Sequence, residues 1–313
     1  MSDYTNIFIF CIIVIIISYS IQHVSKPTYH NHHLLKPYCV DREHLEPSKP
    51  ILWIFVPHHI NSRNWKDFYS RNTNELNQPY LYITLKRIMD HCGTSFNILL
   101  INQDSFSTLL PDWNIKFNFL TDPIKDHFIQ LGMHKLLYEY GGMSIPCSFL
   151  CTRDLIELYY TGIQLYDMFV IENVNESVSA GKSPFLPDCT MMGCVKYHPI
   201  MEELINYETK LYNHDLTSQS DFNGDVNLWL TNKHLEYRIT LIDSTYIGVK
   251  RCDKSPVLLG ELLSTKRDLK LLPTIYGILI PYKQLLSQLN YQWFIRMSTS
   301  QILQSDLSLV NYV

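Results

Sequence analysis

Apolar positions come first as one block: Ile7 to Ile17 is almost unbroken, inside an uncharged segment, 7–24. A run of that kind reaches the length a helix needs to cross the hydrocarbon core of a bilayer. The preceding MSDYTN carries no Lys or Arg, and no small-x-small cleavage site follows, so an uncleaved anchor is expected over a secretory signal. Basic residues are absent before the run, whereas Lys26, Lys36, Arg42 and Lys49 follow it. The side richer in Lys and Arg usually stays cytoplasmic, which predicts a cytosol-facing C-terminal part. The expected division is a tail 1–6, an anchor 7–24, a His- and Pro-containing linker 25–49 and a large domain 50–313. His30, His32, His33 and His44 in the linker read as solvated, since His-x-His-His alone builds no metal cage.

Beyond the linker, apolar residues return in short bursts. The run 51–56 ends at Pro57 and reads as a strand buried on both faces. A helical pattern at 76–92 leads to a second buried strand at 96–101, and a short helix at 105–110 stops at Pro111. The segment 117–120 reads as a third strand, followed by a helix over 124–140. Apolar runs at 168–171, 191–195 and 275–280 and an amphipathic helix at 199–212 complete the readable part; 221–270 shows no clear period. Strands alternating with helices predict an α/β layer structure with a mostly parallel sheet. Ligands of such sheets sit beyond the C-terminal ends of the strands.

Charge narrows the partner classes. Lys plus Arg number 26 against 30 Asp plus Glu, a net charge of −4, with none of the basic excess that a phosphate-backbone binder uses. No nucleic-acid partner is expected. Eight Cys in 313 residues suggest no disulfide framework, and Asn175-Glu176-Ser177 is a lone glycosylation sequon. No glycine-rich dinucleotide fingerprint, phosphate loop, Gly-x-Ser-x-Gly elbow or His-Glu-x-x-His occurs.

The most informative stretch is Lys135-Leu-Leu-Tyr-Glu-Tyr-Gly-Gly-Met-Ser-Ile-Pro-Cys-Ser-Phe149. A helix that ends at Gly141-Gly142 and enters a strand at once predicts a tight junction with glycine in a left-handed cap. At Leu137-Tyr138 and Tyr140-Gly141-Gly142 the chain resembles the sugar-nucleotide transferases of capsular polysaccharide synthesis and the initiating mannosyltransferases of fungi. The resemblance implies a GT-A-like nucleotide-diphospho-sugar transferase fold over roughly 50–200. It also implies a strand carrying Asp-x-Asp, whose carboxylates hold Mg²⁺ or Mn²⁺ against the donor diphosphate. Here those positions are Pro146 and Ser148 around Cys147, and the family's upstream Asp and Arg correspond to Gln130 and Met133. Gly141, Gly142, Pro146, Cys147 and Ser148 therefore outline a degenerate donor site at which no metal is expected.

A second resemblance covers the whole soluble part. Trp53-Ile-Phe-Val-Pro57, Asn61-Ser-Arg-Asn-Trp65, Phe68-Tyr-Ser-Arg71, Leu110-Pro-Asp-Trp113, Ser148-Phe-Leu-Cys151 and Tyr276-Gly-Ile-Leu-Ile-Pro281 look like uncharacterised proteins of large DNA viruses. These share the replacement of the acidic motif by Pro-x-Ser-Phe.

Other candidates are Glu172, Asp188 and Asp221 for acid–base work, with Asp126 and Asp154 as relocated acids. Arg63, Trp65 and Arg71, with Trp113, are possible ligand contacts, because Arg clamps phosphate and aromatics stack bases or sugars. Cys147 is a nucleophile candidate only if His58, His134 or His198 reaches it. Cys189-x₄-Cys194-x₃-His198 has loose metal spacing, and buried thiols are the expected reading. These features together predict a membrane-anchored, catalytically inactive glycosyltransferase-like protein with a binding or assembly role in a viral membrane. Its partners would be the bilayer, through 7–24, and a protein, with no cofactor. The alternative is an active glycosyltransferase that uses a nucleotide sugar without the carboxylate pair; only then would Mn²⁺ or Mg²⁺ be needed.

Overall fold

The structure, a computed structural model, describes residues 45–57, 78–175, 183–212, 219–265 and 267–313, the side chains of 219–221 excepted. The expected anchor 7–24, nearly all of the linker, and Arg63, Trp65 and Arg71 lie outside the described residues. Among the described residues no helix is long and apolar enough to cross a membrane.

Strands β1 (Ile51–Phe55) and β2 (Asn97–Ile101) pair in parallel from Ile51↔Asn97 to Phe55↔Ile101. Apart from Asn97 at the start of β2, both are apolar throughout because both sheet faces are covered. Helix α1 (Tyr80–Cys92) makes the crossover between them. It starts after Pro79, later than its apolar pattern implied, since a residue preceding proline is disfavoured in the helical region. Helix α2 (Gln103–Leu109) is capped by Asn102, whose side chain accepts from the backbone N–H of Asp104 and Ser105, each at 3.0 Å.

The strand expected at 117–120 is instead a single 3₁₀ turn, Phe117–Phe119. Phe117 packs against Phe106 and Trp113, at ring separations of 6.0 and 5.9 Å, so its apolar character serves an aromatic cluster outside the sheet. Helix α3 (Ile124–Tyr140) then runs without a loop into β3 (Gly142–Pro146), which pairs in parallel with β1. Next come β4 (Phe149–Cys151), α4 (Ile156–Ile163), β5 (Met168–Val174), β6 (Phe185–Cys194) and α5 (Pro199–Tyr212). The stretch without a readable period contains α6 (Gln219–Leu235) and β7 (Thr240–Ile242). Among its described side chains, helix α6 turns Phe222, Val226 and Leu230 into the core, with Trp229 packed beside them and Leu228 left exposed.

The main sheet runs β2-β1-β3-β6-β5-β7, with β6 alone reversed, so it is mixed and mostly parallel. The apolar run at 275–280 holds β8 (Gly277–Leu279), which joins β4 in a separate antiparallel pair. Asn175 of the sequon is buried and its Nδ2 donates to Ser183 O at 3.0 Å, which withdraws the amide from solvent.

Two buried histidines give the fold an acid limit. Burial pushes the pKa of both His127 and His198 below the ordinary 6.5. His198 Nε2 lies 2.9 Å from the Tyr166 carbonyl and so carries the hydrogen, leaving Nδ1 buried without a partner. The unfolded chain takes up these protons near pH 6.5 and the folded chain does so only lower, so stability is full above that pH and falls below it. Urea midpoints should therefore decline from about pH 7 to about pH 5, and His198→Gln should flatten part of the decline. A pH-independent midpoint over that window would contradict the burial argument.

Candidate functional site

The junction between α3 and β3 leads into a strand paired on both sides, with β1 and with β6. Gly141 has φ 71° and ψ −168°, and Gly142 has φ 101°. This departs from the expected left-handed cap: φ is positive but ψ at Gly141 is extended, because the chain enters a strand with no turn between. Only glycine occupies that region readily. Trp53 Nε1 donates to Gly141 O at 2.9 Å, and Tyr140 Oη donates to Leu109 O at 2.7 Å. The Leu-Tyr-x-Tyr-Gly-Gly pattern thus aims β3 by packing and backbone hydrogen bonds.

At the C-terminal end of β3, Cys147 and Ser148 are 6% and 1% exposed. Thr84 Oγ1 donates to Cys147 O at 2.6 Å. Ser148 Oγ donates to Ile280 O at 2.9 Å, and β4 and β8 pair from Phe149↔Leu279 to Cys151↔Gly277. Where the resemblance implied projecting carboxylates, the chain holds its own C-terminal segment. Burial pushes the Cys147 thiol up to about 12, so it is neutral at pH 7. A proline ring, a neutral thiol and a committed hydroxyl offer a hard cation no anionic oxygen, and these residues do not fit Mg²⁺ or Mn²⁺.

Among the described residues neither His134 nor His198 is assembled with Cys147. His134 Nδ1 is 2.9 Å from Glu208 Oε2, His198 binds the Tyr166 carbonyl, and His58 lies outside the described residues. Of the relocated acids, Asp126 pairs with Lys283 at 3.0 Å, while Asp154 accepts from Ser95 Oγ and from Ile156 N at 3.1 Å. Trp113 packs on Phe106 at 5.0 Å between ring centres.

Glu172 and Asp188 do not form one group. Glu172 lies near the end of β5, and the parallel register Ile171↔Ile242 sets it beside Asp243. Lys250 Nζ bridges the two, bonding Glu172 Oε2 and, at 2.7 Å, Asp243 Oδ2. Ser244 Oγ adds a bond to Glu172 Oε2 at 3.1 Å, and the Lys250 ammonium lies 5.0 Å from the centre of the Phe185 ring. Burial alone would lower the Lys250 pKa, but bonds to two carboxylates outweigh it and hold the pKa above 10.5. Burial would raise Asp243, and bonds from Lys250 and Thr245 hold it below 3.8 instead. At neutral pH the group is an ion-paired clamp on the sheet edge, and Glu172 has its Oε2 committed to it. Asp243 and Lys250 escaped the sequence reading because they fall in the stretch without periodicity. Asp188 closes a turn on its own strand, accepting from Thr190 N at 2.6 Å, and the Asp221 side chain is not among those described.

A second polar cluster lies between α3, α5 and β6. Glu208 is 0% exposed; its Oε1 accepts from Gln130 Nε2 at 2.7 Å and its Oε2 meets His134 Nδ1. Cys189 Sγ completes a trio whose donor atoms all lie within 4.8 Å of one another. The spacing Cys189-x₄-Cys194-x₃-His198 suggested other partners. Cys194 Sγ instead donates to Leu137 O at 3.5 Å, so those three residues are not brought together. Gln130, standing where the resemblance places an Asp, thus meets a carboxylate from a helix 78 residues away.

No protein-family model matches the chain, and no curated protein matches it by sequence. Among solved structures it is similar to the apo-form glycosyltransferase GlyE of Streptococcus pneumoniae TIGR4 at TM-score 0.34 and 13% identity, over 63% of this chain and 46% of that one. Mouse xyloside xylosyltransferase 1 in its apo form gives TM-score 0.39 and 10% identity, over 66% and 88%. PaToxG glycosyltransferase gives TM-score 0.34 and 8% identity, over 62% and 73%. The chain spans less than half the length of the pneumococcal protein. Scores this low carry no argument about chemistry.

Proposed function

We propose that the chain is a glycosyltransferase-like protein whose donor edge has become a structural seam, and that it serves binding or assembly instead of sugar transfer. The anchor 7–24 would hold it to a membrane, in a virion or infected cell, with a protein as its partner. One observation carries the reading: Ser148, where the resemblance places a carboxylate, spends its hydroxyl on Ile280 O, and the next residues pair with β8. The segments Ser148-Phe-Leu-Cys151 and Tyr276-Gly-Ile-Leu-Ile-Pro281, which carry the viral resemblance, are the two sides of that seam. The Leu-Tyr-x-Tyr-Gly-Gly junction and the mostly parallel sheet support the transferase-like ancestry.

Titration calorimetry with uridine- and guanosine-diphosphate sugars, with and without Mn²⁺, tests it. The expected result is no metal-dependent binding tighter than about 1 mM. Micromolar, Mn²⁺-dependent binding would establish the alternative, an active transferase using a nucleotide sugar without the usual acid pair.

A further inference from the structure

We propose that His134 Nδ1, Cys189 Sγ and the Glu208 carboxylate form a zinc site between α3, β6 and α5. It is independent of whether the protein transfers sugar. The three donor atoms already lie within 4.8 Å of one another, and His134 and Glu208 are buried. An imidazole, a thiolate and a carboxylate are a borderline-soft set that suits Zn²⁺ and does not suit Mg²⁺ or Mn²⁺. Charge points the same way. The Glu208 carboxyl group, with no exposure and met by one amide and one imidazole, offers a cation an oxygen ligand already withdrawn from water. Zn²⁺ with Glu208 as carboxylate, Cys189 as thiolate and His134 neutral sums to zero.

The sheet itself turns Cys189 to this place. Pairing of β5 with β6 jumps from Val170↔Met192 to Ile171↔Asp188, which leaves Cys189, Thr190 and Met191 out of the ladder. Such bulges re-aim a side chain. Gln130, donating to Glu208 Oε1 at 2.7 Å, is placed as the outer hydrogen bond that orients the carboxylate. Three protein ligands leave one tetrahedral position for water.

In the metal-free protein the Cys189 thiol is protonated: burial, and then the nearby Glu208 and Asp188, push its pKa well up. Binding forms the Zn–S bond and breaks S–H, with the proton passing to solvent. The proton between His134 Nδ1 and Glu208 must leave that nitrogen as well, either for the other ring nitrogen or for solvent.

The test uses the full chain, stripped with chelator and titrated with Co²⁺ and then Zn²⁺. The expected result is a thiolate-to-cobalt absorption band that saturates at one equivalent and is bleached by Zn²⁺. Zinc should also raise the melting temperature and release at least one proton per ion, read by calorimetry in two buffers of different ionisation enthalpy. Cys189→Ser should abolish the band and weaken zinc binding by at least about 100-fold, whereas Gln130→Ala should keep the band and weaken binding roughly 10–100-fold. The wild-type band needs no variant to be read, so a misfolded Cys189→Ser would leave the test intact. Absence of the band would overturn the proposal. So would equal zinc affinity in wild type and Cys189→Ser, which would assign the metal to the histidines of 25–49.

Discussion

Gly142→Ala is expected to cost about 3 kcal/mol or more, a loss large enough to unfold a marginally stable domain. At φ 101° an L-residue is strained before any contact is considered, and a Cβ at this position would sit 2.2 Å from Ile51 O. That oxygen belongs to the β1 backbone, which is pinned by its parallel ladders with β2 and β3, so it cannot move aside without breaking them. Gly260→Ala is the matched control, since there the added Cβ meets only Tyr291 Oη, at 3.1 Å. Urea denaturation of both variants checks the contrast. Equal midpoints for wild type and Gly142→Ala would show that the junction relaxes, and the account of why two glycines stand there would fail.

Lys250→Met should be the next most damaging change, at about 2–3 kcal/mol. The substitution keeps an apolar stem near Phe185 but leaves Glu172, itself mostly buried, without its counter-ion. The figure is set below the range for a fully buried pair because Asp243, the other partner, is half exposed and water screens it. Glu172→Gln should cost less, since Lys250 keeps Asp243. The pH signs follow from the two shifts. Lys250, raised in the folded chain, contributes fully below about pH 10.5 and loses its contribution as pH climbs through its folded value. Asp243, lowered, contributes above about pH 3.8 and loses its contribution as pH falls through its folded value. The penalty of Lys250→Met should therefore be constant across neutral pH. A variant as stable as wild type would mean that the bridge adds nothing to the fold.

How much was legible before the structure differs by element, for reasons of chemistry. The strands at 51 and 97 and the helix at 124 carry their own local signals: unbroken apolar runs, and a helical pattern stopped by a glycine pair. The apolar 117–120 imitated a strand because a four-residue run cannot show whether it meets a sheet or an aromatic cluster. Strand β6 was read only from 191 onward, since Pro187 and Asp188 break the apolar pattern on the side that pairs with β5 alone. Helix α6 buries Phe222, Val226 and Leu230 and packs Trp229 beside them, but it leaves Leu228 exposed among polar residues, so no clean apolar face stands out.

The sequence by itself determined that Pro146, Cys147 and Ser148 bring no carboxylate oxygen to the end of β3: proline has no side-chain donor, and one alcohol beside one thiol supplies no fixed negative charge. It also settled the order of elements wherever hydrophobic periodicity was strong, because burying one face is a local demand written into neighbouring residues. Only the tertiary structure decided that Ser148 ties down Ile280, that Lys250 bridges Glu172 and Asp243, and that His134, Cys189 and Glu208 converge. Those meetings join residues up to 132 positions apart, and their cause is the packing of separate elements, which no local spacing encodes.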